Sequence, residues 1–184
     1  MEATDFELVQ SCLTGRQECF EELVARYKKL VYNIVYNFIN DREEVSDISQ
    51  EVFIRIYRSL DRYNPEYKFS TWAAKISTNL CLDILRKKKL DCKPLEDYEG
   101  TACSSETPES TYINRERSEQ IKKAITDLPE KYRVPIILFH QNGLSYEEMT
   151  KVLNEPMTII KNRLFRARQM LKDKLMNDRK EEAL

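Results

Sequence analysis

Only three glycines, Gly15, Gly100 and Gly143, occur in the 184 residues. Hairpin-turned sheets and phosphate-cradling loops both need glycine, where the backbone turns left-handed or must approach a ligand closely. A chain this poor in it is restricted largely to helices joined by few sharp turns. Leu, Glu, Lys and Arg are abundant, and these residues lose little freedom in a helix. Hydrophobic residues make up 41% and charged residues 33%, which allows small packed cores under a charged exterior. The expected class is all-α, and the length suits one large or two small domains.

Hydrophobic spacing places the helices. Phe20, Leu23, Val24, Tyr27, Leu30, Val31, Ile34, Val35 and Phe38 follow the i, i+3, i+4, i+7 rhythm across 17–39. A shorter helix, about 6–13, should precede it and end at Gly15. Asp41 and Glu44 resemble a capping box for a helix over 42–60 that buries Val45, Ile48, Val52, Ile56 and Leu60. A second face of that helix gathers Asp47, Gln50, Glu51, Ile54 and Arg58; spacing alone fits an ordinary solvated surface equally well. Asp61–Lys68 is a loop turned by Asn64-Pro65. Ser70 or Thr71 opens a helix to about 88 with Trp72, Ala73, Ile76, Leu80 and Ile84 inward, and Lys75, Asn79 and Arg86 outward.

Periodicity lapses over 91–111, where Pro94, Gly100, Ser104, Ser105 and Pro108 stand among acids; the composition is that of a tether. Helical pattern returns near Thr111, with Ile113, Ile121, Ala124, Ile125 and Leu128. Another helix starts at Asp127-Leu128-Pro129, and Pro135 within it should kink it or displace a backbone bond. Gly143 stops it. Ser145 and Glu148 form a capping box for a short helix to Leu153, Asn154-Glu155-Pro156 is a tight turn, and a long helix runs from about Thr158 to Met176. Short helix, brief turn and long basic helix is the helix-turn-helix plan. The long helix should bury Ile160, Leu164, Ala167, Leu171 and Leu175. Its other side carries Lys161, Asn162, Arg163, Phe165, Arg166, Arg168, Gln169 and Lys172. Such a face can bond phosphates, guanine and adenine edges and touch a thymine methyl, although a solvated amphipathic helix would show the same spacing.

The net charge of −1 conceals a division. Residues 91–119 hold three basic against eight acidic side chains, and residues 161–184 hold eight basic against four acidic. A local patch, not the global charge, decides contact with phosphate. Five cysteines (Cys12, Cys19, Cys81, Cys92, Cys103) and one histidine, His140, lack zinc-ligand spacing, so no metal or cofactor is expected. No apolar run reaches membrane-spanning length, and Met1–Asp5 lacks a signal pattern; the expectation is cytoplasmic. Nothing supplies a triad, metal cluster or Walker loop, which argues against an enzyme.

Three C-terminal stretches, Asp127-Leu-Pro-Glu-Lys-Tyr-Arg133, Gly143-Leu-Ser-Tyr-Glu-Glu148 and Lys161-Asn-Arg-Leu-Phe-Arg-Ala-Arg168, resemble extracytoplasmic-function RNA polymerase sigma factors. In the N-terminal half Phe20-x-x-Leu23-x-x-x-Tyr27, Asp47-Ile-Ser-Gln-Glu-Val-Phe53, Lys68-Phe-Ser-Thr-Trp72 and Thr78-Asn79-Leu-Cys-Leu-Asp83 are similar to the same family. About 150 residues match in the family's order. The resemblance implies a promoter-selecting subunit of a stress response, with region 2 at 1–92, a linker at 93–112 and region 4 at 113–184. It implies that Asp47, Gln50, Glu51, Ile54 and Arg58 meet the β′ clamp coiled coil of core polymerase. Tyr63, Asn64, Tyr67, Lys75, Asn79 and Arg86 would handle the −10 element, where an aromatic and an amide suit a base flipped from the melted strand. Trp72 is a different matter: it occupies the core stripe, so packing is expected over direct stacking on DNA. The run Arg86-Lys87-Lys88-Lys89 would touch backbone phosphate. Tyr146, Glu147, Thr158, Lys161, Asn162, Arg163, Phe165, Arg166 and Arg168 would read the −35 element. The β flap of the polymerase and a membrane-anchored anti-sigma factor are further implied partners, with no direct membrane contact by this chain.

The chain departs from the family at Asn154, where Gly is usual, and at Thr158-Ile159, where Gly-Thr is usual. Asn154 can occupy a left-handed turn and Thr158 could cap the last helix, while Ile159 replaces a hydroxyl with an apolar group. Two rivals remain at this point. A stand-alone helix-turn-helix regulator accounts for 127–176 but leaves the Asp47 face and the Tyr63 loop idle. A helical adaptor would bind proteins alone.

Overall fold

Thr4 opens the first helix with a capping box. Its hydroxyl accepts from the Glu7 N–H at 3.3 Å, and the Glu7 carboxylate accepts from the Thr4 N–H at 2.7 Å. In this computed structural model, which describes residues 3–39, 41–91 and 119–181, every regular element among those residues is helical. Helix α1 (Asp5–Leu13) ends ahead of Gly15, whose φ of +96° suits glycine. Helix α2 (Glu18–Phe38) packs against α1, α3 (Arg42–Arg58) and α4 (Phe69–Asp91), and α3 also packs on α4.

The first core follows the predicted stripes. Leu23, Val31, Ile34, Val35 and Phe38 of α2 are buried, as are Val45, Ile48, Val52 and Ile56 of α3. Each fully buried side chain of this kind contributes roughly 1.5–3 kcal/mol. Asp41 caps α3, its Oδ1 accepting from the N–H groups of Glu43 and Glu44 at 2.9 and 3.1 Å. The reciprocal half of the expected box goes elsewhere: the Glu44 carboxylate pairs with Lys88 of α4 at 2.6 Å. The helix also stops sooner than its spacing suggested, at Arg58. Buried Leu60 sits instead in a 3₁₀ turn, Leu60–Arg62.

Helix α4 corrects the sequence reading of its inner face. Phe69, Thr71, Ala73, Ala74, Ser77, Thr78, Leu80 and Cys81 are buried, while Trp72, Ile76 and Ile84 are half-buried. Ala73 and Leu80 are inward as expected, and the buried face also takes in Phe69 and the small side chains Ala74, Ser77 and Cys81. The buried Ser77 hydroxyl is satisfied by donating to the Ala73 carbonyl at 2.8 Å.

The chain divides into two compact units, the first built around α1–α4 and the second around α5–α8. Helix α5 is described over 119–126; its expected onset near Thr111, with Ile113, lies outside the described residues. Then come α6 (Glu130–Ile136), a π turn (Ile137–Gln141), α7 (Tyr146–Leu153) and α8 (Met157–Glu181), with α6 packed on α8. Pro135 is accommodated inside α6, and the π turn that follows is closed by the Asn142 N–H donating to Ile137 O, five residues back, at 3.1 Å. Gly143 ends the turn at φ +68°. Val134, Ile136, Ile137, Leu138, Met149, Ile160, Leu164 and Ala167 are buried in this second unit.

Candidate nucleic-acid interface

Ser145 builds the start of α7 as its sequence requires. The Glu148 N–H donates to Ser145 Oγ at 3.2 Å, and the Ser145 N–H donates to Glu148 Oε2 at 2.9 Å. Asn154 turns the chain at φ +53°, a left-handed conformation that Asn tolerates. Thr158 is not the cap of α8. It is the second helical residue, and the carbonyl that accepts the first helical bonds, from the N–H groups of Ile159 and Ile160, belongs to Pro156. The Thr158 hydroxyl therefore lies past the position from which a side chain caps the first N–H groups.

Burial of Ile160, Leu164 and Ala167 turns the predicted polar side of α8 outward; Leu171 and Leu175 are half-buried. Lys161, Asn162, Arg166, Arg168, Gln169 and Lys172 are exposed, and Phe165 is 63% exposed, a large apolar ring held in water. Arg163 differs, being half-buried with its guanidinium on Glu155 at 2.9 Å. Arg166 bonds the Tyr132 phenol and, with Lys131, lowers that phenol's pKa by favouring its charged form. Lys161 lies 5.4 Å from the centre of the Tyr146 ring. Tyr146 is half-buried; Glu147, Thr158 and Ile159 are exposed.

In the first unit the α3 face carries exposed Asp47, Gln50 and Arg58, with Ile54 44% exposed. Glu51 accepts from Arg55 Nε at 2.9 Å, one helical turn on. Tyr57, 46% exposed, extends this face and meets Phe20 of α2 edge-on at 4.9 Å. The sequence reading passed over Tyr57, although its i+3 spacing from Ile54 was the available signal.

The loop between α3 and α4 separates its residues into anchor and display. Tyr63 is half-buried, edge-on to Phe69 and tilted against Trp72, with both ring centres 5.4 Å away. Its hydroxyl donates to the Tyr67 carbonyl at 2.8 Å, and burial, with Asp5 nearby, raises its pKa. Trp72 joins the same cluster, packing on Phe69. Asn64 turns the loop, its Oδ1 accepting from the Glu66 N–H at 2.9 Å. Tyr67 and Asn64 are exposed beside this anchor. Lys75 (half-buried), Asn79 and Arg86 (both exposed) follow on α4. No group of three metal-ligating side chains converges among the described residues.

Comparison with known proteins gives this arrangement its class. Residues 23–90 match Sigma-70 region 2, and residues 118–171 match Sigma-70, region 4. The chain is 35% identical over 170 residues to the ECF RNA polymerase sigma factor SigW of Bacillus subtilis, covering 88% of this chain and 91% of that one. It is 31% identical over 181 residues to the ECF RNA polymerase sigma-E factor of Escherichia coli K12, covering 94% of each. The solved structure of CnrH in complex with the cytosolic domain of CnrY shares the fold, with a TM-score of 0.69 and 23% identity over 93% of this chain and 96% of that one. So does the sigma factor RpoE in complex with the anti-sigma factor NepR from Bartonella quintana, with a TM-score of 0.66 and 19% identity over 85% and 96%. The chain belongs to the extracytoplasmic-function sigma factors of RNA polymerase. It acts in promoter-specific transcription initiation and is not an enzyme. None of its described helices is long and apolar enough to cross a membrane.

Proposed function

We propose that the two units divide the promoter between them. Residues 1–92 hold the polymerase β′ clamp coiled coil and capture melted −10 bases, residues 93–112 link, and residues 113–184 read the −35 duplex and meet the β flap. The observation that carries the proposal is α8. Its aliphatic stripe is buried, so Lys161, Asn162, Phe165, Arg166 and Arg168 face outward behind a capped α7 and a tight turn. That pattern suits phosphate and base-edge contact in a major groove. Arg163, Tyr146 and Glu147 border it, and Thr158 lies at its leading end.

Asp47, Gln50, Glu51, Ile54 and Arg58 form the polymerase contact, exposed acids beside an apolar side chain suiting a basic helical partner. Tyr63 braces the −10 loop, Asn64 and Tyr67 meet the extruded base, and Lys75, Asn79 and Arg86 follow the strand. Two of the fold relatives were solved with a second chain, CnrH with the cytosolic domain of CnrY and the sigma factor RpoE with the anti-sigma factor NepR. An anti-sigma factor, membrane-anchored, is accordingly a proposed partner, with this chain working in the cytoplasm without direct membrane contact.

Retention on purified core polymerase without DNA is the test. The wild-type chain is expected to be retained, and Asp47→Arg with Glu51→Arg to be lost while melting at the same temperature. Unchanged core affinity in that variant would remove the clamp assignment.

A further inference from the structure

We infer that His140 is a positioning residue for Arg168, holding the guanidinium so that its outer edge faces duplex DNA; this rests on α8 being the promoter-reading helix. Arg168 Nε donates to His140 Nε2 at 3.3 Å, and its guanidinium carbon lies 5.6 Å from the centre of the Phe139 ring. Guanidinium donors form a rigid fork. Using Nε on the protein leaves Nη1 and Nη2 for a phosphate or for guanine O6 and N7.

The support is itself built. Phe139 is edge-on to His140 and tilted against Tyr146, with both ring centres 5.0 Å away. Lys161 lies over Tyr146 at 5.4 Å. Three rings from the π turn and α7 thus form one shelf beneath Lys161 and Arg168, seven residues apart on α8. The wide turn makes the shelf possible, because Ile137 and Leu138 are buried while Phe139 is half-buried and His140 exposed. A long side chain held in place before DNA arrives loses less rotamer freedom on binding.

His140 accepts this bond only while neutral. Partial desolvation of the ring, one side of which meets Phe139, and the charge of Arg168, the cation facing it from α8, both hold its pKa below the usual histidine value. The remaining cation of the shelf, Lys161, lies over Tyr146 of α7.

The test uses holoenzyme reconstituted from full-length chain and core polymerase, selecting from a promoter library randomised over the −35 duplex. His140→Ala should weaken base preference about threefold, the size of a net exposed hydrogen bond, at the same positions that Arg168→Ala affects. His140→Gln, which keeps an acceptor, should restore it, and His140→Ala should add nothing to Arg168→Ala. Multiplying effects, or wild-type preference in His140→Ala, overturn the inference. If Arg168→Ala changes nothing while Arg166→Ala does, the positioning role falls and the reading of α8 stands. If neither matters, the reading of α8 falls and takes this inference with it.

Discussion

Two weak acids, the buried Cys81 and the half-buried Tyr27, give the first unit a shared alkaline weakness. Burial pushes the Cys81 thiol up to about 12. The Tyr27 phenol is raised by burial and by donating to Asp5 at 2.5 Å. In both, the folded chain holds its proton above the pKa of the unfolded chain. For Cys81 that stabilisation is complete below the unfolded thiol value of 9.0 and declines as pH rises towards about 12; for Tyr27 it is complete below the unfolded phenol value of 10.0 and declines at higher pH. The melting temperature should fall steadily above pH 9 and more gently in Cys81→Ala; an identical alkaline slope would rule Cys81 out as a cause. At the surface, Arg166 is exposed on the α8 face and bonds Tyr132. If it meets one phosphate, Arg166→Ala should reduce the salt dependence of promoter binding, the slope of log K against log salt, by about 0.9. An unmoved slope would place the residue away from the backbone.

The turn between α7 and α8 sets how α8, the proposed reading helix, is presented, and it depends on one left-handed residue. Asn154→Ala should cost about 1–2 kcal/mol in denaturant unfolding of the full chain, while Asn154→Gly stays near neutral. Equal losses from both would mean that the side chain, not the backbone, holds the turn. This turn was legible because Asn, Pro and the Ser145 box are local signals. The stripes of α2, α3 and α8 were legible for the same reason, since periodicity records a helix's inner face directly. The inner face of α4 was legible only in part: Ala73 and Leu80 are buried as expected, whereas Ala74, Ser77 and Cys81, small or polar, carry no strong signal in a hydrophobic pattern. Thr158 misled as a cap because the helix begins one residue before it, at Met157. The shelf under Arg168 was beyond any local signal: it needs the π turn and rings from two elements to meet residues of a third.

Dividing recognition between two units makes weak contacts sufficient. The chain carries a net charge of −1, with its basic excess confined to residues 161–184, so the free chain should hold duplex DNA weakly and lose it readily as salt rises. In the proposed assembly core polymerase would change the arithmetic by holding both units at once on one surface. Once one element is engaged, the other binds at the effective concentration set by that surface, a gain that can reach about 10²–10⁴-fold. Competition binding by the holoenzyme should show a promoter with both elements bound at least about 100-fold tighter than one with either element scrambled. Inserting about five base pairs between the elements, half a helical turn, should erase that gain with both sequences intact, because the −35 face then rotates away from α8. Persistence of full affinity after the insertion would mean that the two units never engage together, and one of the two proposed DNA contacts would have to be given up.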